Sequence, residues 1–182
     1  MRRERLTREQ WLSAALEVVA RQGGAKLRIR DLVQRLGVST GSFYWHFRDR
    51  DDFVTSLVDY WGREFTSRVA EHVAKVEGDA RHRLLALMEF LLEHDLARYD
   101  VAVRAWAAQE PAVARRVRRV DQQRFRVVRS LFEEMGFSGT ELEMRTSTFA
   151  VFHSMELGFL ARASKKERRR QLRARHAFFT KP

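Results

Sequence analysis

From Ile29 to Phe47 the hydrophobic and polar positions fall into two short helical patterns separated by a glycine. Ile29, Leu32, Val33 and Leu36 stand at i, i+3, i+4 and i+7, so one helix face carries four apolar side chains. Gly37 follows, placed for the left-handed conformation in which helices commonly stop, and Val38 fills the corner. Ser39 is a good N-cap for a second helix from Thr40, because its hydroxyl accepts from a first-turn amide. On that helix Phe43 and Phe47 lie one turn apart on a core-facing side. Gly41 and Trp45 point away, with Thr40, Ser42, Tyr44 and His46 on the flanks. The pattern predicts a helix-turn-helix whose outward tip is small and hydroxyl-bearing. Such a tip can press into the DNA major groove, where side chains reach base edges and amides attract phosphate. An αα-corner in any helical protein accounts for the apolar positions equally well.

The rest of the chain is also patterned as helices. Thr7 with Gln10 forms a capping box, and Leu6 with Trp11 a hydrophobic staple, ahead of the stripe Leu12, Ala15, Leu16 and Val19 that Gly23-Gly24 stops. Asp49 caps a long helix with Asp51 and Asp52 in its first turn, where the helix dipole favours anions. Its stripe, Phe53, Leu57, Tyr60, Trp61, Phe65, Val69 and Val73, runs on to Gly78, a reach sufficient to link two domains. Residues 80 to 97 form another amphipathic segment, and a shorter helix from Asp100 ends before Pro111. Pro111 opens the next, which carries Val113, Val117, Val120, Phe125, Val128, Leu131 and Phe132 to Gly136. Capping boxes at Ser138-x-x-Glu141 and Ser164-x-x-Glu167 frame the last two helices. The first of these has two apolar stripes: Leu142, Phe149, Phe152, Leu160 and Ala163, then Met144, Val151, Met155 and Phe159. A helix apolar on two sides is sandwiched. The last places Leu172, His176 and Phe179 on one side, consistent with packing in a dimer interface, against a basic back from Lys165 to Arg175.

The run Gly37-Val38-Ser39-Thr40-Gly41-Ser42-Phe43-Tyr44-Trp45-His46-Phe47 resembles the recognition segment of the TetR family of transcriptional regulators, roughly G-V-S-x-G-x-[LF]-Y-x-H-F before a short basic stretch. Departures are small: Arg50 stands where lysine is usual, and Val33 where a small residue is usual. The resemblance implies an all-α fold, with a three-helix DNA-binding domain over residues 1–50 and a dimerising, ligand-binding helical bundle over 51–182. It places Thr40, Gly41 and Ser42 at the groove and Arg30 at its edge, with Arg28, Tyr44, Trp45, His46 and Arg50 mainly on backbone phosphates, and Ser39 is a further DNA-binding candidate. For Arg28 and Arg30 a plain solvated face is the alternative. Thr7 either contacts phosphate or simply caps its helix. The long helix would tie reader to bundle, so that sliding it changes the reader's pose. The last two helices would pair with their symmetry mates, and two readers about 34–36 Å apart fit successive major grooves. An effector cavity would draw on Trp61, Phe65, Met88, His94, Trp106, Phe125, Phe149, Phe152 and His153, each of which also reads as ordinary core or as a locally bonded histidine.

Composition narrows the classes. The chain of 182 residues has no cysteine, which excludes disulfides and thiolate metal sites. No carboxylate-histidine spacing suits a metal, and neither a nucleophile motif nor a glycine-rich phosphate loop is present, so no cofactor and no enzyme activity are expected. The charged start MRRERLTREQ and the lack of 18 consecutive apolar residues argue against a signal peptide or membrane span, and the expected location is cytoplasmic. The net charge of +11 is unevenly spread: residues 1–50 carry 11 basic and 5 acidic groups, 51–110 carry 7 and 12, and 111–182 carry 17 and 7. The basic N-terminal block coincides with the expected reader and would supply salt-sensitive DNA affinity. The C-terminal block reads as a solvated helix back, or as a patch for DNA or an anionic membrane. The expected function is a homodimeric repressor that binds a pseudo-palindromic operator and is released by a small molecule. A non-specific architectural DNA binder and a helical enzyme are the competing classes.

Overall fold

Where the sequence offers a capping side chain, helices begin. The computed structural model describes residues 6–160 and 164–181, apart from the side chains of 156–160 and 165. Helix α1 (Arg8–Gln22) starts in the expected reciprocal box of Thr7 and Gln10. A 3₁₀ turn (Gly24–Lys26) leads to α2 (Ile29–Leu36), which ends at Gly37 with φ 64° and ψ 32°. Helix α3 (Thr40–His46) starts under Ser39, whose Oγ accepts from the Ser42 N–H at 3.3 Å, and α4 (Arg50–Gly62) under Asp49, which accepts from the Asp52 N–H at 2.7 Å.

The long helix expected to run unbroken to Gly78 does not. It passes through a π-helical turn (Arg63–Ser67) into α5 (Arg68–Ala74) and stops there. A π turn widens the backbone ladder and leaves carbonyl capacity to be satisfied elsewhere. Here the Arg124 guanidinium donates to the Phe65 carbonyl at 3.3 Å and to Thr66 Oγ1 at 2.8 Å, and is ion-paired with buried Asp100. Then follow α6 (Ala80–Glu93), α7 (Ala97–Ala107), α8 (Pro111–Glu134), α9 (Gly139–Leu160) and α10 (Lys165–Thr180). No strand occurs among the described residues, so the fold is all-α.

The chain forms two compact units, Met1–Arg63 with Ala102–Arg118, and Glu64–Val101 with Arg119–Pro182. Residues 51–63 and 102–118 thus cluster in one compact unit with the N-terminal helices. The first unit is held by aromatic contacts: Phe43 meets Trp11, Phe47 and Phe53 with ring centroids 5.7, 5.1 and 5.2 Å apart. Such pairs add about 0.5–1.5 kcal/mol each beyond burial, so they fix α3 on α1 and α4.

The second unit buries Leu84, Met88, Leu131, Phe132, Leu142, Phe149, Leu172 and Phe179 in one core. This corrects the reading of α10: Leu172 and Phe179 face the chain's own core, and a His176 ring nitrogen lies 2.8 Å from the Arg81 carbonyl. An amphipathic stripe says that a face is covered without saying by what. On α9 the stripe of Leu142 and Phe149 is buried, whereas Met144, Val151 and Met155 are exposed at 60, 63 and 36 %. The side chains of Phe159 and Leu160, and Ala163, lie outside the described residues.

The basic back of α10 is partly answered by acids on the same unit. Arg168 pairs with Asp95, Arg169 with Glu93, and Arg170 with Glu167, while the Arg175 guanidinium lies 4.7 Å from the centre of the Phe152 ring. Pairing of this kind dilutes the local positive field.

Candidate nucleic-acid interface

Burying Phe43 and Phe47 turns the opposite side of α3 outward. Tyr44 and Trp45 are exposed at 57 and 70 %, and Thr40 and Gly41 are also exposed. Tyr44 meets Phe43 and Trp45 meets His46 edge-on, at 5.3 and 4.6 Å, yet most of the surface of both rings faces water on this seven-residue helix. Gly41 is informative for a second reason. Its φ is not positive, and a Cβ built on it would meet only Ser39 Oγ, at 3.7 Å. Glycine in a helix is about 0.8–1 kcal/mol less favourable than alanine. No neighbouring atom in the chain therefore requires this position to be glycine.

The flanking candidates divide. Arg28 and Arg30 are exposed around the start of α2, with Arg28 in extended backbone as the residue before the helix. Thr7 is exposed, and its hydroxyl accepts from the Gln10 N–H at 3.2 Å, so it caps α1. His46 turns inward: its Nε2 lies 2.8 Å from the Leu6 carbonyl and, facing an oxygen that can only accept, must donate. The ring thereby ties the start of the described chain to the end of α3. Arg50 is half exposed, and its guanidinium is 3.3 Å from Glu110 Oε1 and 4.0 Å from Asp51 Oδ1. Glu110 was not a sequence-level candidate. Nothing in a lone acid before Pro111 signals a partner sixty positions away.

The candidate pocket side chains are not gathered in one place. Trp61 and Trp106 belong to the first unit, where both are buried. Trp106 lies flat against the backbone of Gly24, where a Cβ would come within 2.1 Å of its ring, and its Nε1 donates to Glu110 Oε2 at 2.8 Å. The others lie in the second unit. Met88 and Phe149 are core, Phe125 is half-buried, and Phe65 stacks on Tyr99 at 4.9 Å. Exposed His94 meets Phe90 edge-on at 4.1 Å. His153 packs on Phe149 at 4.2 Å; burial, and then the charge of Arg175, push its pKa down to about 3, so the ring is neutral near pH 7. An open groove of about 860 Å³ between α6 and α10 is lined by residues including Glu89, Glu93, Lys166, Glu167, Arg169 and Arg173, and by none of these candidates. Among the described residues no group of His, Cys, Asp and Glu is placed to hold a metal, and no helix is long and apolar enough to cross a membrane.

Helices α1 to α3 and the start of α4 thus define a helix-turn-helix module in an all-α chain. Residues 12–57 match the family model described as bacterial regulatory proteins, tetR family. The chain is 28% identical over 87 residues to the HTH-type transcriptional regulator AcrR of Shigella flexneri, covering 48% of this chain and 40% of that protein. It is 29% identical over 86 residues to the HTH-type transcriptional regulator TtgR of Pseudomonas putida, covering 46% and 41%. The chain thus spans about two-fifths of the length of these curated relatives. The fold is shared along nearly the whole chain with a transcriptional regulator from Rhodococcus sp. Rha1, at TM-score 0.75 and 20% identity over 96% of each chain. It is likewise shared with reduced E. coli NemR, at TM-score 0.77 and 18% identity over 92% and 94%. Residues 12–57 thus match the N-terminal module of the TetR family, and nearly the whole chain shares the fold of these regulators.

Proposed function

We propose that this protein is a DNA-binding transcriptional regulator, acting as a homodimeric repressor on a pseudo-palindromic operator and released by a small-molecule effector. The observation that carries the reading is the tip of α3: Gly41 has no packing reason to be glycine, and it stands beside exposed Thr40, Tyr44 and Trp45. A small first turn lets the backbone approach base edges, while Tyr44, Trp45 and the arginines at 28, 30 and 50 reach sugars and phosphates. Residues 1–50 would form the reader and 51–182 the dimerising, effector-binding part. Dimerisation draws support from the uncovered stripe of Met144, Val151 and Met155 on α9, with Phe178 of α10 exposed at 71 %. An apolar face of that kind marks a protein contact more often than a solvent boundary. For the effector, the candidates in the second unit remain Phe65, Met88, Phe125, Phe149, Phe152 and His153.

Selection of duplexes from a random-sequence pool by the full chain, followed by footprinting, tests the reading. The expected result is an inverted repeat with half-sites one helical turn apart and two protomers bound. Equal affinity for selected and random duplexes at matched salt would overturn it in favour of an architectural binder, and turnover of a small molecule would favour an enzyme.

A further inference from the structure

Resting on the reading that Arg50 grips the DNA backbone, we propose that Glu110 is an internal stand-in for phosphate: it occupies Arg50 in the DNA-free protein and must yield when DNA binds. A surface ion pair taken alone counts for little, because two flexible chains seldom hold one geometry. This pair differs in that its acid is held from behind. Glu110 Oε2 accepts from Trp106 Nε1 at 2.8 Å while Oε1 faces Arg50 NH1 at 3.3 Å. Trp106 is only 2 % exposed, and its ring packs so closely on Gly24 that a Cβ added there would come within 2.1 Å of it. The carboxylate is therefore aimed at Arg50 by a buried, tightly packed donor.

The local charge completes the argument. Asp51 Oδ1 lies 4.0 Å from the same Arg50 NH1, so the cation has two carboxylates close by. A phosphate approaching it meets these two negative charges, so the half-exposed Arg50 guanidinium at the start of α4 is partly masked. Arginine presents five donors in a planar fork that suits carboxylate and phosphate alike, which makes the two ligands direct competitors. Glu110 lies in the short link between α7 and α8, and its backbone N–H donates to the Trp106 carbonyl at 3.1 Å. Any displacement of this link relative to α4 changes how much of Arg50 is free, so DNA affinity is tied to the packing of residues 106–110 against the reader.

The test compares wild type, Glu110→Gln, Arg50→Gln and the double variant for binding to the selected duplex and to a random duplex over a KCl series. Glutamine keeps an oxygen to accept from Trp106, and an unchanged thermal midpoint checks that the fold is intact. Glu110→Gln is expected to tighten both duplexes alike, by about three- to tenfold, and to steepen the salt dependence by about one released counterion. In the Arg50→Gln background the same change is expected to alter binding by less than about twofold. Unchanged or weaker binding by Glu110→Gln overturns the inference, since the pair would then be positioning Arg50 for DNA. So does an equal gain with and without Arg50, which is the mark of a general charge effect. Failure of the wild type to bind any duplex strikes the functional reading itself, a result separate from wild-type binding that Glu110→Gln leaves unmoved.

Discussion

Gly24 and Gly41 lie in the same compact unit, and neither has the positive φ that would demand glycine for its backbone. At Gly24 an added Cβ would come within 2.1 Å of the Trp106 ring, whereas at Gly41 the nearest atom is Ser39 Oγ at 3.7 Å. The first glycine is required from inside, because an indole occupies the space a side chain would need. The second is required by nothing in the chain, and it weakens the helix it sits in. Small residues kept for packing and small residues kept for an approaching partner look identical in a sequence. They separate once their surroundings are known.

The comparison is broken most forcefully at the interior glycine. Gly24→Ala is expected to displace Trp106 and cost roughly 3 kcal/mol or more, since overpacking at a fully buried aromatic cannot relax cheaply. Urea unfolding measures this, and a midpoint equal to wild type would mean that the ring slides aside without loss.

A second interior demand lies in the other unit, at His153. Its folded pKa, about 3, lies below the ordinary value of 6.5, so the neutral ring is the form the fold accommodates. The stabilisation is fully present above pH 6.5 and is lost as pH falls toward 3, at up to about 1.4 kcal/mol per pH unit. Unfolding midpoints measured between pH 7 and pH 4 are expected to fall in the wild type and to fall less steeply in His153→Leu. Parallel curves for the two proteins would show that His153 protonates as freely in the folded state as in the unfolded one.

Much of this was legible in the sequence, because caps and glycine stops act within a few residues. Thr7 with Gln10, Gly37, Ser39 and Asp49 set the starts and stops of α1 to α4, and the aromatic spacing of Phe43 and Phe47 oriented α3 before any packing was known. What escaped were events set by distant partners. The π turn at Arg63–Ser67 has no local signature, and the arginine that donates to it is Arg124, on α8. The apolar side of α10 was legible as a stripe, but its partner was not: Leu172 and Phe179 join the core of their own chain. Trp106 read as ordinary core or as a cavity wall, because helical spacing fits both equally well. The Arg50–Glu110 pair joins segments far apart in the chain.

The exposed glycine gives the most direct measurement. For Gly41→Ala, urea unfolding and affinity for the selected duplex at fixed salt are measured on the same preparation. The account predicts that stability rises by about 0.5–1 kcal/mol while affinity for the selected site falls at least tenfold, because the added methyl helps the helix and obstructs the groove. Increased stability with unchanged affinity would contradict the claim that this face of α3 reads DNA.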